Sequence, residues 1–367
     1  MDLELNNEQQ EIRALARRVA DELIAPHAAD WDEEGRCPVE LFAELGALGL
    51  MGVCVPVEYG GAGADYLAYV LAIEELSRAD AGVGVAVAVH CGAGAQLVVD
   101  HGSPEQIERI VPPLAAGKEL AAFALTEPGG GSDAAAMKTT FVDGRLDGSK
   151  QWITNGSFAR HFNVFARDGE RISAFVVRDA KVTREERKLG LHSSSTADLL
   201  FESTPAERLG PPGAGMAVAL STLDGGRIAI AAQAVGIAQA GLDVATAYAQ
   251  ERSAFGRKIG GYQAIAHKLA DMATEIAAAR ALVWRAARRK DAGLPHTVEG
   301  AQAKLFASRV ARHWTGEAIQ VLGGAGYTRE FPVERFYRDA KVTEIYEGTS
   351  EIQRLVIARS LVGSLAG

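Results

Sequence analysis

The sequence predicts an α+β protein in three blocks: helical, then strand-rich, then helical again. Three observations carry this. Apolar residues recur at helical spacing up to about residue 120. Between 121 and 212 the period shortens to two and turn signals appear. From Pro211-Pro212 onward long, Ala-rich helical stripes return.

In block 1–120, Ile12, Leu15, Val19 and Leu23 mark one stripe, and Leu67, Val70, Leu71 and Leu76 another. Gly60-Gly-Ala-Gly63 punctuates between them, and Pro112-Pro113 with Gly117 is expected to close the block. In block 121–212, Phe141 to Gly148 reads as a hairpin turning at Asp143-Gly144. Ile172 to Val177 and Asp198 to Phe201 read as strands. In block 213–367, helices are expected over about 214–252, 261–291 and 297–322, long enough for a bundle. Such helices pack well against copies of themselves, so an oligomer is expected.

Composition narrows the function. Of 367 residues, 48% are hydrophobic, the mean hydropathy is +0.01 and the formal net charge is −9. That describes a soluble globular protein with no basic run for nucleic acid. No apolar stretch reaches membrane-spanning length without Gly, polar or charged interruption. The start, Met1 to Leu5, is acidic and enters a helical pattern at once, so no targeting peptide is expected. Cys37, Cys54 and Cys91 fit reduced core thiols of a cytoplasmic protein. The eight histidines show no metal spacing, so no metal site is expected.

The most informative stretch runs from Gln320-Val-Leu-Gly-Gly-Ala-Gly-Tyr327 to Ile345-Tyr-Glu-Gly-Thr-Ser-Glu-Ile-Gln-Arg354. It sets Glu347 beside a glycine, just before a helix start. Ser350 and Gln353 have capping-box spacing, and Ile352, Leu355 and Val356 supply an apolar face. A carboxylate beside free helix N–H groups is the minimum apparatus for taking a proton from carbon next to a carbonyl.

Four other constellations stand out, each with a plainer alternative. Phe123-Ala-Leu-Thr-Glu-Pro-Gly-Gly-Gly-Ser-Asp133 could bring backbone N–H groups to a ligand or simply be a tight loop. It is neither a Rossmann fingerprint nor a P-loop. Trp152 and Thr154, two apart on a strand, could cover and hydrogen-bond a planar ring, or Trp152 could be core. Arg252 and Phe255 lie in the break between two long helices, suited to phosphate and ring contacts or to a solvated turn. Leu223-Asp-Gly-Gly-Arg227 puts two glycines inside a helix, which either a close approach or a helix crossing would explain.

Together and in this order, these motifs resemble the acyl-CoA dehydrogenase family. Thr126 to Asp133, Lys150-Gln-Trp-Ile-Thr-Asn155, Arg252-Ser-Ala-Phe-Gly256, Gln320 to Tyr327, Arg338-Asp339 and Glu347 to Glu351 carry the likeness. Asn7 to Gln10 and Pro56 to Gly61 extend it toward the start, and Ser193 to Phe201 resembles the short-chain branch. The resemblance implies an acyl-CoA dehydrogenase-like fold. An N-terminal α-helical domain and a C-terminal four-helix-bundle domain would flank a β-barrel-like domain, in a homotetramer or dimer with bound FAD.

It also implies roles. Phe123, Leu125, Thr126, Gly131 and Ser132 would hold the flavin and its pyrophosphate, with Ser132 also near substrate. Trp152, Ile153 and Thr154 would sit at the isoalloxazine. Arg252 and Phe255 would reach a neighbouring subunit's FAD, as would Gln320, Gly323 and Gly324. Thr349 and Glu351 would close over the cofactor. Asp224, Arg227 and Gly348 would line the acyl path, and Glu347 would be the base. The alternative base position of the isovaleryl branch is Gly226 here. The implied reaction takes a saturated acyl-CoA to its trans-2-enoyl thioester and passes electrons to an electron-transfer flavoprotein. The short β block, with Arg167 to Arg171 and Arg184 to Arg187 read as loops, leaves a carrier-protein thioester open, as is an acyl-CoA oxidase. A non-catalytic assembly role would require a lost base or flavin contact.

Overall fold

The computed structural model describes residues 4–363. Met1 to Leu3 and residues 364–367, which the readings of the start and of the third block include, lie outside the described residues.

The N-terminal region is helical: α1 Asn7–Val19, α2 Ala28–Glu34, α3 Leu41–Ala47, α4 Tyr66–Ala79, α5 Ala81–Ala88, α6 Leu97–His101 and α7 Pro104–Ala115. α1 starts where it does because Asn6 and Gln9 form a reciprocal capping box. α4 is buried almost all round. Its first N–H groups are taken by Asp65 at Ala68 and by Asp291, from the far end of the chain, at Tyr66 and Leu67. A π-helical segment, Val89–Gln96, joins α5 to α6. Two helical runs, Ala81–His101 and Gly215–Glu251, are long and apolar enough to cross a membrane, though each carries the Gly and polar interruptions noted in the sequence. In each, 78% of the apolar window is buried in this protein, so their apolarity is that of core helices.

Pro112-Pro113 does not close the block. α7 runs on to Ala115 with both prolines inside it. The carbonyls that lose their donors belong to Glu108 and Arg109, both on the exposed face and able to turn to water. The reversal comes at Gly117 (φ 64°), where a side chain would overlap the Phe42 carbonyl.

The middle region contains β1 Leu120–Ala124, β2 Thr140–Val142, β3 Arg145–Thr154, β4 Ala159–Asp168, β5 Arg171–Arg178, β6 Lys181–Glu185, β7 Thr196–Pro205 and β8 Glu207–Leu209. They make one eight-stranded sheet in the order β6-β7-β3-β2-β4-β5-β8, with β1 parallel to β4. The β2–β3 hairpin turns at Asp143 (φ 47°) and Gly144 (φ 80°), as expected of a primed turn. Of Arg167 to Arg171, read as loop, Gly169 and Glu170 form the tight turn, while Arg167, Asp168 and Arg171 pair in β4 and β5. Arg184, read as loop, belongs to β6, an exposed edge strand whose charge hides its pairing with β7.

The C-terminal region holds α8 Gly215–Glu251, the small pair β9 Ser253–Ala254 and β10 Arg257–Lys258, then α9 Gln263–Asp291, α10 Thr297–Leu322, α11 Val333–Val342 and α12 Ser350–Val362. α8 and α10 share one apolar core with α4, so the two helical regions are joined in their interior. Side chains of the β region reach into the same junction. Asn155 Nδ2 donates to the Ala86 and Ala121 carbonyls, and Asn163 Nδ2 to those of Ala93 and Gly94.

At Gly236 α8 lies against α4, and an added Cβ would overlap the Glu74 carbonyl oxygen. Gly236→Ala is therefore expected to destabilise by about 1–3 kcal/mol despite its better helix propensity. A thermal melt should show a Tm lowered by several degrees.

Candidate active site

Between α11 and α12 the chain makes a corner in which Glu347 (φ 52°) and Gly348 (φ 87°) are both left-handed. A non-glycine residue held there signals a local constraint. The constraint is visible in the carbonyls. Gln353 Nε2 donates to the Glu347 oxygen at 3.1 Å and to the Gly348 oxygen at 2.8 Å. Lys304 Nζ, from α10, donates to the same Gly348 oxygen at 2.6 Å. With both carbonyls turned inward, the Glu347 N–H has no acceptor among the described residues.

This corrects the expected cap. Thr349, not Ser350, caps α12 by accepting the Ile352 N–H, and Gln353 faces the corner instead of completing a box. The expected apolar face is not a core face in one chain: Gln353 is the buried residue of α12, and Leu355 is 41% exposed.

Glu347 as a residue is half-buried, but its Oε2 is shut from solvent and has no hydrogen-bond partner. It lies over α8 at Gly226, where a Cβ would come within 2.6 Å of that oxygen. Next to it, Tyr66 donates its hydroxyl to the Gly225 carbonyl at 2.8 Å. The glycine pair inside α8 thus serves close approach by side chains: a carboxylate at Gly226 and a phenol at Gly225. Burial pushes the Glu347 carboxyl up to about 7, against the opposing pull of Arg227 and Lys304. Arg227 is itself buried and bonded to Asp224 at 2.6 Å. Burial pulls the Lys304 ammonium down to about 7.

A second group forms at the start of the sheet. Lys150, fully buried, donates to the Leu125 carbonyl and to Glu127 Oε1 at 3.0 and 2.8 Å. Glu127 also accepts the N–H groups of Lys138 and Thr139. This clamp fixes the ends of the Gly129-Gly-Gly131 loop, while positions 129 and 130 have open space where a side chain would go. Thr126 is half-buried and Ser132 exposed. Phe123 packs against Phe165, and Leu125 is core.

β3 does not alternate simply through its end. A bulge falls between Lys150 and Ile153, and Trp152 takes φ 58°. The bulge turns Ile153 into the sheet core and leaves the Trp152 indole 58% exposed, with Thr154 half-buried beyond it. An indole this exposed is not core, and that reading of Trp152 is set aside.

The remaining residues lie elsewhere. Arg252 is exposed, and Phe255, at the β9–β10 turn, is 97% exposed. Gln320, Gly323 and Gly324 are exposed at the end of α10, both glycines facing open space. A Tyr248–Phe331 ring contact brings these two helix ends together. Arg252 is 26 residues beyond Gly226, or about 40 Å along the helix. One chain therefore does not bring Arg252 and Phe255 to Glu347. Arg227 faces it with Asp224 bonded behind, Gly348 and Thr349 follow it in the corner, and Glu351 is exposed on the first turn of α12.

The residues fit FAD. Bare loop backbone at Gly129 to Gly131, flanked by hydroxyls, suits a pyrophosphate, and an exposed indole beside Thr154 suits a flat ring. Sequence reasoning missed Lys304 and the clamp formed by Lys150 and Glu127. A lysine on the stripe Gly300, Lys304, Ala307, Ala311 of α10 was the available signal. Gly226→Ala is expected to push the Glu347 carboxylate aside and lower turnover by about 10²-fold with flavin retained, since misplacement by about 1 Å has that effect. Steady-state rates and the flavin absorbance would check it.

Known proteins bear on this geometry. Models of the acyl-CoA dehydrogenase N-terminal, middle and C-terminal domains match residues 6–118, 122–204 and 213–362. A short-chain specific acyl-CoA dehydrogenase of Clostridium acetobutylicum is 45% identical, over 98% of this chain and 99% of its own. The solved butyryl-CoA dehydrogenase of Megasphaera elsdenii superposes with a TM-score of 0.96 at 41% identity, covering 99% and 100% of the two chains. An acyl-CoA dehydrogenase of Bacillus anthracis complexed with FAD gives 0.92 at 34% identity, covering 98% of this chain and 67% of its own. With its fold and matches along nearly its whole length, the chain belongs to the acyl-CoA dehydrogenase family of FAD-dependent oxidoreductases.

Proposed function

We propose that this chain oxidises short-chain acyl-CoA thioesters to trans-2-enoyl thioesters, with Glu347 as the base. The supporting observation is the Glu347 carboxylate, dry and unpartnered over Gly226, beside its own free N–H. That N–H accepts no duty inside the fold and is available to the thioester carbonyl, where it stabilises the developing enolate. The carboxylate then removes the α-proton. Asp224, Arg227 and Gly348 border the acyl path, and Ser132 approaches from the sheet side. Bound FAD supplies the acceptor for the two electrons that leave Cβ as hydride. Phe123, Leu125, Thr126, Gly131, Ser132, Trp152, Ile153 and Thr154 hold it, Leu125 and Ile153 through their backbone. Short acyl length is supported by the short-chain and butyryl-CoA relatives.

Because Arg252, Phe255, Gln320, Gly323 and Gly324 sit far along the bundle, they serve the FAD of a second copy, with Thr349 and Glu351 closing over the cofactor. The working form is then a homotetramer or dimer, and the electrons pass to an electron-transfer flavoprotein.

The active form of the base is the carboxylate. kcat/KM should therefore rise with pH and level off above about 7, the value to which burial raises Glu347. Glu347→Gln should keep FAD, lose at least about 10²-fold in kcat and lose this acid limb. Near-normal turnover would remove Glu347 from the reaction. Anaerobic bleaching should be fastest with butyryl-CoA and slowest with palmitoyl-CoA, and oxygen uptake matching turnover would make the enzyme an oxidase instead. Arg252→Ala should loosen FAD and subunits together. Sedimentation with flavin absorbance would test that, and a dissociated variant with full flavin occupancy would contradict it.

A further inference from the structure

Lys304 is a buried cation with no carboxylate within ion-pair distance among the described residues, yet it is 0% exposed. Burying an ammonium unpaired is expensive, which is why burial pulls Lys304 down to about 7, and charged or neutral its nitrogen still needs an acceptor. Its hydrogen bond goes to the Gly348 carbonyl at 2.6 Å. One turn along α10, the Ser308 hydroxyl lies 2.8 Å from the Thr343 carbonyl. α10 therefore grips the segment 343–348 at both ends, and the left-handed pair Glu347 and Gly348 lies at the Lys304 end.

We propose that Lys304 is a positioning residue for the proton transfer: by holding the Gly348 carbonyl, it fixes the corner that aims the Glu347 carboxylate and N–H at one point. The proposal rests on Glu347 being the base. Gln353 alone does not do this work, because it also holds the Glu347 carbonyl and comes from α12, the element that the corner must orient. The ammonium has a second effect on the same carboxylate. The charged groups facing Glu347 are Arg227 from α8 and Lys304 from α10, with the neutral phenols of Tyr66 and Tyr346 beside it. Arg227 already has Asp224 as partner. Lys304 is also influenced by Glu344 and Glu351. Removing its charge leaves the carboxylate less supported and raises the pH at which it ionises.

The test isolates proton removal from electron transfer. Acetyl-CoA has α-protons and no β-carbon hydride, so the flavin-loaded enzyme in D2O can exchange its methyl protons without turnover, followed by NMR. Wild type should exchange them, and Glu347→Gln should not; absence of that difference defeats the Glu347 reading itself. If Glu347 is upheld, Lys304→Met should slow exchange at neutral pH by at least about tenfold with acetyl-CoA binding nearly unchanged. Its acid limb should also move to higher pH, which a purely structural role would not cause. Lys304→Gln, a neutral and shorter donor, provides a second variant if Lys304→Met does not fold. Exchange at the wild-type rate and pH dependence in either variant overturns the proposal. So does failure of both to fold with flavin, which would make Lys304 a residue of the fold alone.

Discussion

The structure is organised around a carboxylate that is kept dry without being neutralised by a direct partner. Most buried carboxylates in this chain are paired. Glu74 has Arg280 at 2.8 Å, Glu75 has Arg13 at 2.8 Å, and Glu127 has Lys150. Glu347 Oε2 has none, and burial raises the carboxyl to about 7 instead of being cancelled by a short ion pair. The cations that it feels stand off: Arg227 is bonded to Asp224 and Lys304 to a carbonyl. A shorter pairing would hold the acid ionised and make it a poor base. The glycine at 226, the left-handed corner and the inward carbonyls all follow from giving that carboxylate space without giving it a bond.

The same logic explains how the three regions are joined. In the proposed reaction the base comes from the C-terminal helices and the loop that would hold the flavin comes from the sheet, so their separation must be fixed to within a fraction of an ångström. Polar contacts between regions are buried and specific. Ala121 N–H donates to His90 Nδ1, whose Nε2 then carries the proton and donates to the Leu114 carbonyl at 3.0 Å. Burial pushes this imidazole down to about 4, so the contact stays neutral at working pH. Asn155 and Asn163 tie the sheet to α5 and the π-helical segment. Near Arg335, the C-terminal helices touch the Ala79 carbonyl, and Asp339 accepts the Leu191 N–H at 2.6 Å. These hydrogen bonds set register where apolar packing alone would allow sliding.

Long-period features were legible in the sequence, and local backbone geometry was not. The three long helices, expected over about 214–252, 261–291 and 297–322, occupy Gly215–Glu251, Gln263–Asp291 and Thr297–Leu322. Their stripes extend over many turns, so a local error averages out. β4 escaped notice because it is buried on both faces and shows no alternation, and β6 because it is exposed throughout and carries Lys181, Arg184 and Glu185. The cap at Thr349 was misread as Ser350 because spacing cannot tell whether Gln353 turns toward the cap or into the corner. Glu347 stands out in the sequence beside its glycine, but its approach to Gly226 does not. That approach is a contact between residues 121 positions apart, which no local pattern encodes. Lys304 was hidden the same way: on a stripe of small residues a lysine looks like the polar edge of a helix, whereas here the whole side chain is inside.

In the proposed reading, α8 ties the chemistry to assembly. It carries Gly226 and Arg227 near one end and leads into Arg252 and Phe255 at the other, about 40 Å away. A helix that long cannot bend both ends onto one cofactor without breaking, and among its described residues it runs unbroken from Gly215 to Glu251. Phe255 is 97% exposed on a strained left-handed turn, and among the described residues its ring makes an edge contact with Tyr262. Covering this ring with another surface would remove apolar area from water and so favour association. The exposed Leu355, Leu361 and Val362 of α12 point the same way. In that arrangement each copy completes another copy's cofactor site. Loss of flavin and loss of assembly then become one event seen from two sides, because the contacts that hold the cofactor are also the contacts that hold the subunits.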